Sequence, residues 1–375
     1  MQHISFDIFC QVIDNYGDIG VSWRLAKNLA KNHKVRLWVD KPNVLSKIEP
    51  NYTVSLSQKL AGVNVVHWQN NVKEYTPYSV VIETFGCELQ PEIKQAIKAH
   101  KRVWINLEYL SAEKWVENFH LQPSPQPQGI SKTFFMPGFS PKTGGLIKEP
   151  DTIKNRIQWQ AKPANKIRLL KELGISSKAI SAVNNGALVV FLFCYPEAPV
   201  QSLVNALVAT NNKALIIAPE GVFNAHKKAL KTIYTNNSHV FIHKAKYVSQ
   251  DDFDKVLWSA DINLVRGEDS FIRAIWAARP MIWQPYIQAE NANLIKLQAF
   301  LNTTNYSKHI KQLIMQWNTA SKTEFEANLK CLLSNDNFQL WKEESVRYSN
   351  CLAQQTDLAS NLVSYCSQEL NKRLK

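Results

Sequence analysis

"ISFDIFCQVIDNYGDIGVSWRLAKNLAK", residues 4–31, decides how the chain is read. It opens on an apolar run and passes through a turn holding Asp14, Asp18, Gly17 and Gly20. It then continues as a segment in which Ile19, Trp23, Ala26 and Ala30 recur at three- and four-residue spacing. That pattern predicts a strand handing over to an amphipathic helix, with the glycines permitting a tight turn and close packing. Outward from it, apolar runs recur at 34–40, 63–68, 78–85, 102–109 and 132–139, with helical patterns between several of them. One of these, "PEIKQAIKAH" at 91–100, opens with proline at a first helical position. Strands alternating with helices predict an α/β chain with mainly parallel sheets. "QPSPQPQG" at 122–129 is too proline-rich for a regular element and is expected as an extended surface loop.

The same grammar restarts in the second half, with strands expected at 187–195, 213–219, 239–248 and 261–266, and helices dominating from 289 onward. The expected division is a Rossmann-like domain over 1–150, a connecting segment over 151–184, a second Rossmann-like domain over 185–355, and a C-terminal helix at 356–375 that returns to the first. Ligands in such open sheets sit beyond the carboxyl ends of the strands. Two facing domains would put those ends around one cleft.

A chain of 375 residues suits two domains. Its net charge of +13 invites a nucleic-acid reading, yet the lysines are dispersed, without a dense basic block beside aromatics. Charge alone leaves an acidic protein or a phosphorylated small molecule equally open. No apolar run approaches the roughly 18 residues of a membrane span, and the start lacks the pattern of a signal peptide. The six cysteines form no C-x-x-C pair, and the histidines show no zinc-ligand spacing. Reduced thiols and a cytoplasmic location are expected, with no membrane partner.

A second stretch carries chemistry: "VRGEDSFIRAIWAARP", residues 265–280. Gly267 opens a turn after the strand "DINLVR", and Glu268, Asp269 and Ser270 begin a helix with an apolar stripe at Phe271, Ala274, Ile275 and Ala278. Free N–H groups at a helix start attract phosphate oxygens, to which Ser270 adds a hydroxyl and Arg266 a cation. The alternative is that Asp269 or Ser270 merely caps the helix. Glu268 would repel a phosphate, so it is read as holding sugar hydroxyls or stabilising a developing cation. In the opening stretch Asp18 is either a helix N-cap or a working acid, and Asp14 either supports an Asx-turn or joins it. The spacing D-x-x-G-D-x-G is not the G-x-G-x-x-G of dinucleotide binders. "DFD" at 252–254 matches a metal-binding D-x-D pattern. It lies in an expected helix, where alternate residues point apart, so no metal site is expected. Phe253 is either core or a platform for a nucleobase.

Together, "FDIFCQVIDNYGDIGVSWRLAKNLA" at 6–30, "FLFCYP" at 191–196 and "DDFDKVLWSADINLVRGEDSFIRAIWAARPMIWQPYIQ" at 251–288 resemble the EarP family, the protein-arginine rhamnosyltransferases of elongation factor P. The resemblance spans both halves in order. It implies a GT-B fold, two Rossmann-like domains facing across a central cleft. It implies inverting, metal-independent transfer of L-rhamnose from dTDP-β-L-rhamnose to an arginine of elongation factor P, without a cofactor. By motif, Asp18 matches the candidate general base, Asp14 a second essential aspartate and Glu268 the cleft glutamate. Tyr16, Gly17, Phe191, Tyr195, Phe253, Arg266, Gly267, Asp269, Ser270 and Gln288 fall on the donor side. Another GT-B enzyme with a lipid or glycan acceptor is the alternative, and no nucleic-acid partner is expected. Glu83, Glu108 and Tyr109, near expected strand ends, either contact the acceptor or are ordinary loop and packing residues.

Overall fold

The computed structural model describes residues 3–13, 16–69, 74–210, 213–235, 239–319 and 321–373. The chain divides into two compact units, Met1–Pro150 with Gln355–Lys375, and Asp151–Gln354.

The first unit runs β1 (Ser5–Cys10), α1 (Tyr16–Ala30), β2 (Lys34–Val39), α2 (Pro42–Ile48), β3 (Ser57–Leu60), β4 (Val63–His67), β5 (Val80–Thr84), α3 (Pro91–Ala99), β6 (Val103–Leu107), α4 (Trp115–Phe119), β7 (Pro123–Gln126) and β8 (Ile130–Phe135). The strands form one sheet in the order β3-β4-β2-β1-β5-β6-β8-β7. The six inner strands are parallel and follow the doubly wound order 3-2-1-4-5-6, while β3 and β7 pair antiparallel at the two edges. The central strands β1, β5 and β6 are buried almost along their whole length, which is why they read as continuous apolar runs. One charged residue is built into β1. Asp7 accepts from Arg36 Nε and Nη2 at 2.6 and 2.8 Å, Trp38 Nε1 at 3.0 Å, Tyr75 Oη at 2.8 Å and the Tyr78 N–H at 2.8 Å. This carboxylate is a structural node, its charge compensated where it is buried.

The edge strands correct the sequence reading. The stretch at 122–129, expected as a loop, contains β7. Gln122 O accepts from Phe134 N at 3.0 Å, and antiparallel alternation then makes Ser124 and Gln126 the residues that bond to β8. Pro123 and Pro125 fall at the outward positions, where a missing N–H costs no ladder bond.

The second unit begins with α5 (Thr152–Gln160), α6 (Pro163–Glu172) and α7 (Ser177–Asn184). It continues with β9 (Leu188–Leu192), α8 (Val200–Ala209), β10 (Ala214–Pro219), α9 (Glu220–Ala225), α10 (Lys227–Thr235), β11 (Val240–Ala245), α11 (Gln250–Ser259), β12 (Ile262–Arg266), α12 (Asp269–Ala277) and β13 (Met281–Gln284). Four helices close it: α13 (Ala292–Thr303), α14 (Lys308–Thr319), α15 (Lys322–Leu332) and α16 (Asn335–Ala353). Its sheet is wholly parallel, in the order β11-β10-β9-β12-β13. The stretch read as a connector is bonded into this unit. Trp159 Nε1 donates to Ser259 Oγ at 2.9 Å, Gln160 Nε2 to the carbonyls of Trp258 and Ala277, and Lys166 pairs with Asp261 at 2.9 Å.

The last helix, α17 (Leu358–Arg373), belongs to the first unit. Leu358 N–H donates to Leu146 O at 2.9 Å, and Tyr365 Oη bonds Thr133 Oγ1 at 3.0 Å. Gly145 makes this docking possible. Its φ is +80°, and a Cβ there would lie 2.6 Å from the Thr356 carbonyl.

Candidate active site

In each unit the order of strands reverses at one seam, between β1 and β5 in the first and between β9 and β12 in the second. Crossovers leave such a seam in opposite directions, opening a crevice at the strands' carboxyl ends. Both stretches singled out in the sequence lie there.

In the first unit Asp18 is not the N-cap. Helix α1 begins at Tyr16, and Asp18 sits in its first turn. Its carboxylate reaches back over the turn, with Oδ2 accepting from Ile13 N–H at 2.8 Å and Oδ1 from Tyr109 Oη at 3.3 Å. The preceding residue is pinned as well: Val12 N–H donates to Asp40 Oδ1 at 2.9 Å, and Lys41 Nζ to Val12 O at 2.6 Å. Tyr109 follows β6 and stacks on Phe85, which follows β5, with centroids 4.4 Å apart and planes at 15°. Asp18 is only 2% exposed, whereas Tyr109 is exposed above it. These bonds hold the plane of the carboxylate and so orient the acid. Tyr16 and Gly17 open the helix, both half-buried. Asp14 lies outside the described residues.

Beneath the turn, Thr84 Oγ1 donates to Phe9 O at 2.9 Å and accepts from Ser22 Oγ at 3.4 Å. Burial pushes the Cys10 thiol well above its ordinary range and the Cys87 thiol up to about 12, so both stay protonated packing groups. Glu83 is buried inside the unit, paired with Lys132 and accepting from Trp104 Nε1 at 3.2 Å. Burial raises its pKa, and the bonds from Lys132 and Trp104 oppose the rise. It is a packing residue. Glu108 accepts from Asn106 Nδ2 at 2.6 Å.

In the second unit Gly267 has φ +62°, a left-handed turn that favours glycine. Both its backbone groups are used: the N–H donates to Gln284 O at 3.2 Å, and the carbonyl accepts from Trp283 Nε1 at 2.7 Å. Helix α12 starts immediately after, at Asp269. Ser270 Oγ–H donates to Arg266 O, so its proton is directed into the turn rather than outward. Glu268 is ion-paired with Lys296 of α13 at 2.8 Å. The Arg266 guanidinium lies 4.6 Å from the Phe193 ring centre and 4.7 Å from that of Tyr195, and it donates to Cys194 O at 3.2 Å. Phe253 packs edge-on against Phe191 at 5.6 Å and Phe193 at 6.0 Å. Gln288 is exposed ahead of a short 3-10 turn at Ala289–Asn291. Of the two "DFD" aspartates, Asp252 pairs with Lys255 at 2.7 Å, and Asp254 is bound by both arms of Arg273.

Two residues that the sequence reading did not single out shape this site. Gln284 Oε1 accepts from Tyr195 N–H at 2.8 Å, and His226 Nε2 lies 3.1 Å from Tyr195 O and 3.5 Å from Cys194 Sγ. A carbonyl only accepts, so Nε2 carries the proton. Burial lowers the His226 pKa and keeps the ring neutral. Residues 194–195 are thus held by side chains from three separate segments, following α9 and ending β12 and β13.

A family profile described as "Elongation-Factor P (EF-P) rhamnosyltransferase EarP" matches residues 6–367. The chain belongs to the EarP family. Among relatives, the Pseudomonas aeruginosa protein-arginine rhamnosyltransferase is 36% identical over 96% of this EarP-family chain and 98% of its own length. The Shewanella oneidensis protein-arginine rhamnosyltransferase is 42% identical, over 79% and 80%. A solved EarP structure, described as the structural basis for EarP-mediated arginine glycosylation of translation elongation factor EF-P, superposes with a TM-score of 0.65 at 25% identity, covering 97% of this chain and 99% of that one. Anabaena HepE with UDP and glucose, at 10% identity and a TM-score of 0.52 over 99% of each chain, shares the fold alone. The EarP architecture here is therefore the α/β GT-B fold of glycosyltransferases.

Proposed function

We propose that this chain transfers L-rhamnose from dTDP-β-L-rhamnose, with inversion, to an arginine of elongation factor P in the cytoplasm, and that it needs neither metal nor cofactor. The observation that carries the reading is the oriented carboxylate of Asp18, buried against Ile13 N–H and Tyr109 at the seam of the first sheet. Asp14 is proposed as a second acid on the acceptor side.

A guanidinium has a pKa above about 12 and is a poor nucleophile as it stands. A carboxylate can bind its N–H groups and fix its plane. In the proposed step Asp18 accepts the proton as the arginine nitrogen bonds to the sugar's anomeric carbon. The bond from that carbon to the diphosphate breaks, and dTDP leaves with the electron pair. The sugar passes through an oxocarbenium-like state, as in glycoside cleavage. Inversion follows because attack comes opposite the leaving group.

The donor side is assigned to the second unit. Phe191, Phe253 and Tyr195 offer aromatic surface to the nucleotide, with Tyr16, Gly17 and Gln288 as further contacts. The α12 N-terminus, with Asp269 and Ser270, offers N–H groups to the diphosphate, and Gly267 supplies the tight left-handed turn that leads into it. Arg266 contributes positive charge, which takes up the developing anion without a metal. Lys296 answers the difficulty that Glu268 poses. The pair at 2.8 Å is neutral as a whole, so an acid can face the sugar without repelling the phosphates.

His226→Leu is expected to raise the KM for the donor about tenfold, the weight of one buried hydrogen bond, with kcat little changed. His226→Gln, whose amide N–H can stand in for Nε2, should restore most of the loss. Steady-state kinetics at varied donor reads both. The function itself is tested by incubating the enzyme with dTDP-β-L-rhamnose and purified elongation factor P. One deoxyhexose added to a single arginine, seen by intact and peptide mass spectrometry, is the expected result. No mass gain on the protein overturns the reading.

A further inference from the structure

We propose that the surface formed by Tyr109, Trp115, Phe119 and Leu121 is the docking patch for the protein acceptor, a partner that presents an arginine-bearing loop. The proposal rests on the transfer reaction above and adds the surface that recognises its protein substrate. These side chains lie on the segment that leaves β6, forms α4 and enters β7. Trp115 and Phe119 are 45% and 49% exposed, with ring centres 5.9 Å apart in an edge-to-face pair. Leu121 is 40% exposed in a left-handed backbone, φ +65°, held by its N–H bond to Phe134 O at 2.8 Å. The apolar side chain is therefore presented by backbone bonds that fix it, not by packing of its own.

The patch lies on the same edge of the sheet as Asp18. Leu121 and Gln122 are bonded to Phe134, and Met136 N–H donates to His120 Nδ1 at 3.1 Å. These bonds tie the segment to the carboxyl end of β8. Strands β1, β5, β6 and β8 are successive neighbours, so three strand spacings, about 14 Å, separate the end of β8 from that of β1. Tyr109, bonded to Asp18, stands between them at the end of β6. A loop reaching Asp18 with one side chain would lay its flanks over α4.

Charge selects the occupant. Residues 108–119, "EYLSAEKWVENF", carry Glu108, Glu113 and Glu117 against Lys114, and even with Lys142 paired to Glu117 at 3.8 Å the segment stays net acidic in a chain whose net charge is +13. An acidic segment with rigid aromatic anchors suits a cationic protein loop and disfavours a nucleotide. Aromatic rings on a short helix also lose little conformational entropy on binding.

The test uses the full chain bearing Trp115→Ala and Phe119→Ala together, with Leu340→Ala, an exposed apolar residue of α16, as control. At saturating donor, the KM for elongation factor P should rise at least tenfold in the double variant, with kcat within twofold and the donor KM unchanged. The control should match the unaltered enzyme. If the double variant fails to fold, Phe119→Lys alone carries the same expectation. An unaltered enzyme that adds no sugar to elongation factor P sinks the transfer reading. An active enzyme whose variants keep the acceptor KM overturns the docking patch. It is equally overturned if the donor KM rises instead, or if the variants only dissociate a self-association of the unaltered chain.

Discussion

Asp18→Asn should yield a folded protein that still binds the donor nucleotide but transfers sugar about 10²- to 10⁴-fold more slowly, the range a positioned general base contributes. The substitution is nearly isosteric. The amide oxygen can still accept from Ile13 N–H, and the amide nitrogen can donate to Tyr109 Oη, so these two contacts persist in altered form. What is lost is the negative charge and the place for a proton. Nucleotide binding by calorimetry and an unchanged thermal transition separate this from misfolding. A folded variant retaining a tenth or more of the normal kcat would remove Asp18 from the role of base.

Asp254→Ala should destabilise the second unit by about 3–5 kcal/mol, the cost of removing one partner from a buried ion pair. Arg273 on α12 is fully buried, and its guanidinium meets the Asp254 carboxylate on α11 with two parallel bonds. Alanine takes the countercharge away and leaves the guanidinium in place. Asp252, two residues earlier, is paired near the surface with the half-buried Lys255, and its substitution by alanine should cost no more than about 1 kcal/mol. Urea titrations of the two variants check this. Equal losses would mean that the Arg273 pair does not anchor α11 to α12.

Much of the fold was legible because the central strands of both sheets, such as β5, β6, β9 and β10, are buried on both faces, which leaves an apolar run in the sequence. β3 (SQKL) and β7 (PSPQ) were not, since edge strands carry polar residues and prolines. The stretch 151–184 looked like a connector because its polar faces hide contacts such as Gln160 with Ala277, 117 residues away. At the site, Asp18 and Glu268 stood out as acids where a strand gives way to a helix. Their pairings did not, although Tyr109 itself was a candidate. Tyr109 reaches Asp18 across 91 positions and Lys296 reaches Glu268 across 28, and neither pairing leaves a local pattern. Ser270 was legible as a hydroxyl at a helix start, but the direction of its proton is set by the left-handed turn at Gly267.

The proline-bearing edge strand also bears on how this protein behaves at high concentration. An exposed β-edge recruits other chains by offering alternate N–H donors and carbonyl acceptors. At β7 the donors that would face outward are missing at Pro123 and Pro125, so a neighbouring copy finds acceptors there without their matching donors. Cross-chain zippering into fibrils is stopped at that rim of the eight-stranded sheet, and the protection depends on two rings rather than on any charge.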